Sequence, residues 1–227
     1  MSLLNSMQQG ARATAGFTIG SSMFGIVFGS AAIATGLTEA QAVIMSATAF
    51  AGAAQFASLA VWDHPMPWLA VAITVALVST RNVLMGLSLS SDFGKAPWPF
   101  RLIIIHMLVD ASWAMSMRHR GRSDMAAFYF GSAASLYVTW MVGVAIGVLL
   151  PDAMDAVTMA AIGFGGVLFL SLVLVMLARA RMGPRLPWAV SAVVAISLSF
   201  VASPEVVLLG AVGSGASFAL LFDGRRA

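Results

Sequence analysis

The sequence predicts an all-α integral membrane protein with about eight transmembrane helices. Hydrophobic residues fill 60% of the 227 positions and charged residues only 9%, and the mean hydropathy is +0.93. A soluble chain carries about a quarter charged residues. The few charges cluster between long apolar runs, several near the ~20 residues that cross a bilayer as a helix. The ten-residue alternations of a membrane barrel do not occur.

The apolar runs are, in order, Gly16–Thr35, Ala40–Val61, Trp68–Ser90, Leu102–Met117, Ala126–Leu150, Ala156–Ala178, Leu186–Ser203 and Val206–Phe222. Turn chemistry separates most of them: Asp63-His64-Pro65, Lys95-Ala96-Pro97, Pro151-Asp152, Gly183-Pro184 and Ser203-Pro204. The fourth run is short and the seventh is close to the lower limit for a span, which admits tilt or a break. A second count makes the second run re-entrant and leaves seven spans.

Eight spans with both termini in the cytoplasm place Arg12, Arg118, Arg120, Arg122, Arg179, Arg181, Arg185, Arg225 and Arg226 inside, and only Lys95 and Arg101 outside. That asymmetry satisfies the positive-inside rule. Residues 1–15 lack the basic segment, short apolar core and cleavage site of a signal peptide, so they are expected to be retained. The whole chain, 1–227, reads as one transmembrane domain.

A 4+4 internal repeat, with halves 16–117 and 126–222, is faintly visible. Gly29 and Gly52 have the spacing of Gly143 and Gly166, and Ala42-Val43, Met45, Ala47 and Phe50 return as Ala156-Val157, Met159, Ala161 and Phe164. Pro67-Trp68 matches Pro187-Trp188, and Ala111–Ala114 resembles Ala216–Ala219. Such duplications often place a transport site between the halves. Arg81 and Asp110 have no charged counterpart in the second half.

The chemistry concentrates in the second, third and fourth runs. Within Phe50-Ala51-Gly52-Ala53-Ala54-Gln55-Phe56, small residues adjoin an amide. Two readings stand: an unwound, substrate-facing section, or tight helix packing with Gln55 bonded across an interface. Ser79-Thr80-Arg81-Asn82 puts a permanent cation in mid-span, and Asp110 lies at similar depth in the next run. A charge there costs roughly 2.5–3.5 kcal/mol on insertion scales, so a pair is expected. That pair serves either as a structural lock or as a binding and coupling element. His106, four residues before Asp110, is expected on the same helical face. There it relays protons or simply bonds a carbonyl.

No catalytic residues, metal cluster or cofactor motif is legible, and an enzyme is not expected. The absence of Cys excludes disulfides and thiolate ligation. The net charge of +3 comes from loop arginines and does not indicate nucleic acid. Trp62, Trp68, Trp98 and Trp188 read as interfacial anchors.

These residues resemble the AzlC-type branched-chain amino-acid permease and exporter family, as its large subunit. Phe50–Phe56, then Arg81-Asn82-Val83-Leu84-Met85-Gly86, then Val109-Asp110 follow the family's AGA(S/A)QF, Arg-His-x-Leu-x-Gly and Thr-Asp-Glu order. Gly163-Phe164 through Ser171 is similar to its sixth-span pattern. The resemblance implies a secondary transporter in the bacterial inner membrane, exporting branched-chain or similar amino acids with protons. It also implies a small AzlD-type partner subunit. On the transport reading the expected site residues are Arg81 and Asp110 as the central charge pair, Gln55 and Gly52 lining the site, and Asn82 supplying neutral polar contacts. The chain departs from the pattern at Ser79, Asn82 and Ala111, and lacks a proline near Ser21-Ser22. The rival class is a non-transporting membrane subunit or scaffold whose Arg81–Asp110 pair only locks helices.

Overall fold

The computed structural model describes residues 2–63, 65–93, 97–150 and 186–201, with scattered positions from 207 to 218. The regular structure of these described residues is helical, with no strand among them. The chain divides into two compact units, Met1–Ser171 and Leu172–Ala227.

In the first unit, α2 (Ala15–Ala34), α5 (Trp68–Leu89) and α8 (Met125–Leu149) are long and apolar enough to cross a membrane. Ahead of α2 lies α1 (Leu3–Ala13), an amphipathic helix that hydropathy does not reveal. Ser2 caps α1 by accepting the Asn5 N–H. Thr14 joins α1 to α2, and its hydroxyl reaches the Ser132 carbonyl at 3.3 Å and Ser135 Oγ at 2.9 Å.

Helices α2 and α8 form the main packing interface, and they run parallel. Their contacts rise together in number: Thr14 with Ser132 and Ser135, Ser21 Oγ to the Leu136 carbonyl at 3.1 Å, Ser30 Oγ to the Gly147 carbonyl at 2.9 Å. Glycines let the backbones touch. A Cβ on Gly25 would lie 2.5 Å from the Trp140 carbonyl, and one on Gly29 2.6 Å from that of Val144. From the other side, a Cβ on Gly143 or Gly147 would strike the carbonyls of Ser22 and Ile26. Each helix thus presents a small-xxx-small pair to the other, the packing that works where lipid removes the hydrophobic drive.

The second and fourth apolar runs are not continuous helices. The second is split into α3 (Glu39–Thr48) and α4 (Gly52–Ala60) by the non-helical residues 49–51. A capping box between Thr38 and Gln41 starts α3, just after Gly36 turns the chain at φ 95°. The fourth is split into α6 (Trp98–His106) and α7 (Asp110–Arg118), bent by 118°. The first five runs therefore yield three continuous spans, or four if the bent pair passes through, where five were expected.

Polar clamps fix the end of the unit that holds the start of α8. Arg122 pairs with Asp124 at 2.7 Å, bonds Gln9 Oε1 at 2.9 Å and lies over the Phe128 ring at 4.9 Å. Ser6 Oγ donates to Asp124 as well, which ties α1 to α8. Arg120 joins Asp92 at 2.9 Å and donates to the Ser88 carbonyl, linking the end of α5 to the chain after α7.

In the second unit, α9 (Leu186–Ser199) occupies the seventh run at 14 residues, and Gly210 lies against Leu198. The sixth run and most of the eighth lie outside the described residues. So do the repeat matches at Ala156–Phe164 and Gly166, and the family-like stretch Gly163–Ser171.

Candidate functional site at two helix breaks

Helix breaks free backbone groups, and at membrane depth those groups must find partners inside the protein. At the first break, Ala49 and Ala51 leave the helical conformation (φ/ψ −128°/68° and −145°/72°). Gln55 is 1% exposed and folds back over the gap. Its Nε2 donates to the Met45 carbonyl and to Ser46 Oγ, both at 3.2 Å. The Tyr137 hydroxyl donates to the Ala47 carbonyl at 3.1 Å, and Trp140 Nε1 to Ser46 Oγ at 3.3 Å. Phe50 packs edge-on to Tyr137 at 5.1 Å. The helix is thus unwound here, and Gln55 is bonded across the gap within its own run rather than to another span.

Gly52 opens α4 directly against Trp140. A Cβ there would lie 2.9 Å from the indole Cη2, so the ring is seated by the missing side chain. Trp140 in turn packs with Phe24 and Phe28, each at 6.0 Å. Among the described residues the buried Gln55 Oε1 has no hydrogen-bond partner.

At the second break, Tyr129 donates its hydroxyl to the Ile104 carbonyl at 2.8 Å. Ser112 Oγ accepts the Val109 N–H at 3.2 Å and closes the first turn of α7. Asp110 is the first residue of that helix, where a carboxylate is favoured by the helix dipole. Arg81, mid-way along α5, meets it at 3.0 Å, with side chains 49% and 32% exposed. The expected pair therefore forms. Trp113 Nε1 bonds Ser88 Oγ at 2.8 Å and holds α7 to α5 just beyond it.

One expectation fails. His106 does not share a helical face with Asp110, because α6 ends at His106 and the chain turns before Asp110. The i to i+4 rule requires a continuous helix, and residues 107–109 interrupt it. The ring instead lies 6.3 Å from Tyr137. Asn82, half-buried on α5, takes no part in the ion pair.

Sequence reasoning missed Ser46, Tyr129, Tyr137 and Trp140. A signal was present: the chain has only two tyrosines, both within one apolar run, and Trp140 lies far from either end of it. Buried Tyr and Trp need partners for their polar atoms. Among the described residues no group of His, Cys, Asp or Glu could hold a metal.

Comparison with known proteins gives one finding. No curated protein and no solved structure matches the chain, but the AzlC protein family model matches residues 17–154. That stretch runs from the first turn of α2 through α8 and includes both breaks and the ion pair, and by this match the chain belongs to the AzlC family.

Proposed function

We propose that this protein is a secondary transporter that exports branched-chain or similarly small amino acids across the bacterial inner membrane, coupled to protons. Family membership supports the substrate class. The observation that carries a transport role is the Arg81–Asp110 pair beside a broken helix, with half of the arginine side chain left open. Broken helices at mid-depth, with ends that point at a polar site, are a recurrent transporter plan. Arg81 meets the substrate carboxylate, and Asp110 is the group that takes a proton when the arginine turns to substrate. Gln55 Oε1 is an acceptor for a substrate N–H, while Gly52 and Asn82 line the path. A small AzlD-type subunit assembles with the chain, and both termini face the cytoplasm.

The test is efflux of valine, leucine, isoleucine and methionine from dipeptide-loaded cells, with and without the candidate partner. Arg81→Gln is expected to abolish uncoupler-sensitive efflux while the protein still inserts; normal efflux by that variant would remove Arg81 from the site. The scaffold reading makes a different prediction. If the pair is only a lock, the exchange Arg81→Asp with Asp110→Arg restores function, whereas a binding arginine cannot be moved this way.

A further inference from the structure

We infer that α3–α4 and α6–α7 are two re-entrant hairpins that enter the membrane from opposite faces and bring their tips together at Tyr137, beside the Arg81–Asp110 pair.

The α6–α7 hairpin is fixed by where its ends and its tip lie along α8. Near its start, Phe100 is 6.0 Å from Phe130. Just past its end, His119 is 4.7 Å from Phe128. Both ends therefore lie at the first turns of α8. The tip lies deeper, with His106 6.3 Å from Tyr137. Seven residues separate Phe130 from Tyr137, about 10 Å along a helix. A 118° bend between the arms is that of a chain turning back. The end of α5 lies at the same level, where Phe93 meets Tyr129 at 5.2 Å.

The second hairpin follows from direction. Because α2 and α8 run parallel, the chain between them must cross the membrane an odd number of times. Helix α5 crosses once. If α6–α7 turns back, α3–α4 must turn back too. A fold with only the second run re-entrant would set α8 antiparallel to α2. Local contacts agree. Gln55 reaches back ten residues to the Met45 carbonyl, and Phe56 on α4 packs against both Phe24 (4.9 Å) and Phe28 (5.6 Å). The tip lies on Tyr137 and Trp140, at the depth of His106.

Charge gives an independent check. In this topology the face at the start of α8 carries Arg12, Arg101, Arg118, Arg120 and Arg122. Among the described residues of this unit the opposite face carries Glu39 and Asp63 and no basic side chain. Five continuous spans would instead send Arg101 to the acidic face. The hairpins sharpen the positive-inside pattern.

The topology stands without the transport reading. Joined to it, each hairpin closes the path to Arg81 from one face, and each face opens by moving its own hairpin.

The two topologies exchange the faces of two loops, and the chain has no native cysteine to interfere. Single cysteines at Glu39 and Ser123 mark opposite faces in both. Met66→Cys and Ser91→Cys decide between them, with Asp63→Cys and Asp92→Cys as second reporters of the same loops. The full chain in cells is labelled with a membrane-impermeant maleimide before and after permeabilisation. The expected result is that Met66→Cys labels with Glu39→Cys, and Ser91→Cys labels only when Ser123→Cys does. The reverse assignment, or both loops on one face, overturns the hairpins. Efflux plays no part in this readout, so loss of the transport proposal leaves it intact.

Discussion

Asp124 shows how one side chain can hold a terminus in place. Its carboxyl accepts from the Arg122 guanidinium and from Ser6, and both bonds hold it well below the usual carboxylate range, with the arginine contributing most. A carboxyl depressed in the folded state adds stability above its unfolded pKa, near 4, and loses it as pH falls toward the folded value. Asp124→Asn is therefore expected to lower the melting temperature at pH 7, with the gap to the native protein narrowing between about pH 4 and pH 3. Thermal melts in detergent across that range check it. At the same scale, the sequence made Arg81 and Asp110 legible because a charge inside an apolar run stands out and must be neutralised. It did not reveal Tyr129 or Tyr137, whose roles depend on which carbonyl a distant break sets free.

Elements were legible in proportion to how local their causes are. Helices α2, α5 and α8 follow from apolar length alone. The breaks do not, because Ala49-Phe50-Ala51 and Met107-Leu108-Val109 contain neither Gly nor Pro. Their neighbours, supplied by α8 and by Gln55, stabilise the non-helical backbone, so a hydropathy window reads straight through them. The α2–α8 contact was available in the spacing of Gly25 with Gly29 and Gly143 with Gly147, which a search for small residues at four-residue intervals detects. Its energetic weight is testable by contrast. Gly16 has nothing within 4 Å of its would-be Cβ, so Gly16→Ala gains helix propensity and is expected to be neutral or stabilising by up to about 1 kcal/mol. Gly143→Ala drives a methyl into the Ser22 carbonyl and must separate the helices, at a cost of about 1–3 kcal/mol. Melting temperatures of the two variants should move in opposite directions, or only the second should fall.

At the scale of the first unit, α8 acts as a mast to which both broken elements are tied. Tyr129 takes a carbonyl from α6 and Tyr137 one from α3, eight residues apart on one helix. This arrangement lets each hairpin be secured without the other. Tyr129→Phe leaves the buried Ile104 carbonyl short of a donor, which costs about 1–3 kcal/mol while the ring packing stays, and Tyr137→Phe does the same to the part-buried Ala47 carbonyl at the lower end of that range. Two helical turns separate the hydroxyls by about 12 Å, far enough that independent effects add within about 0.5 kcal/mol. A double-mutant cycle on melting free energies is therefore expected to close without a coupling term. Independence is also what the proposed opening of each face by its own hairpin requires, since a hairpin that dragged its partner would open both faces at once. A coupling well above 0.5 kcal/mol would mean that the tips form one rigid body around Tyr137, and the unit would then have to move as a whole to admit a substrate to Arg81.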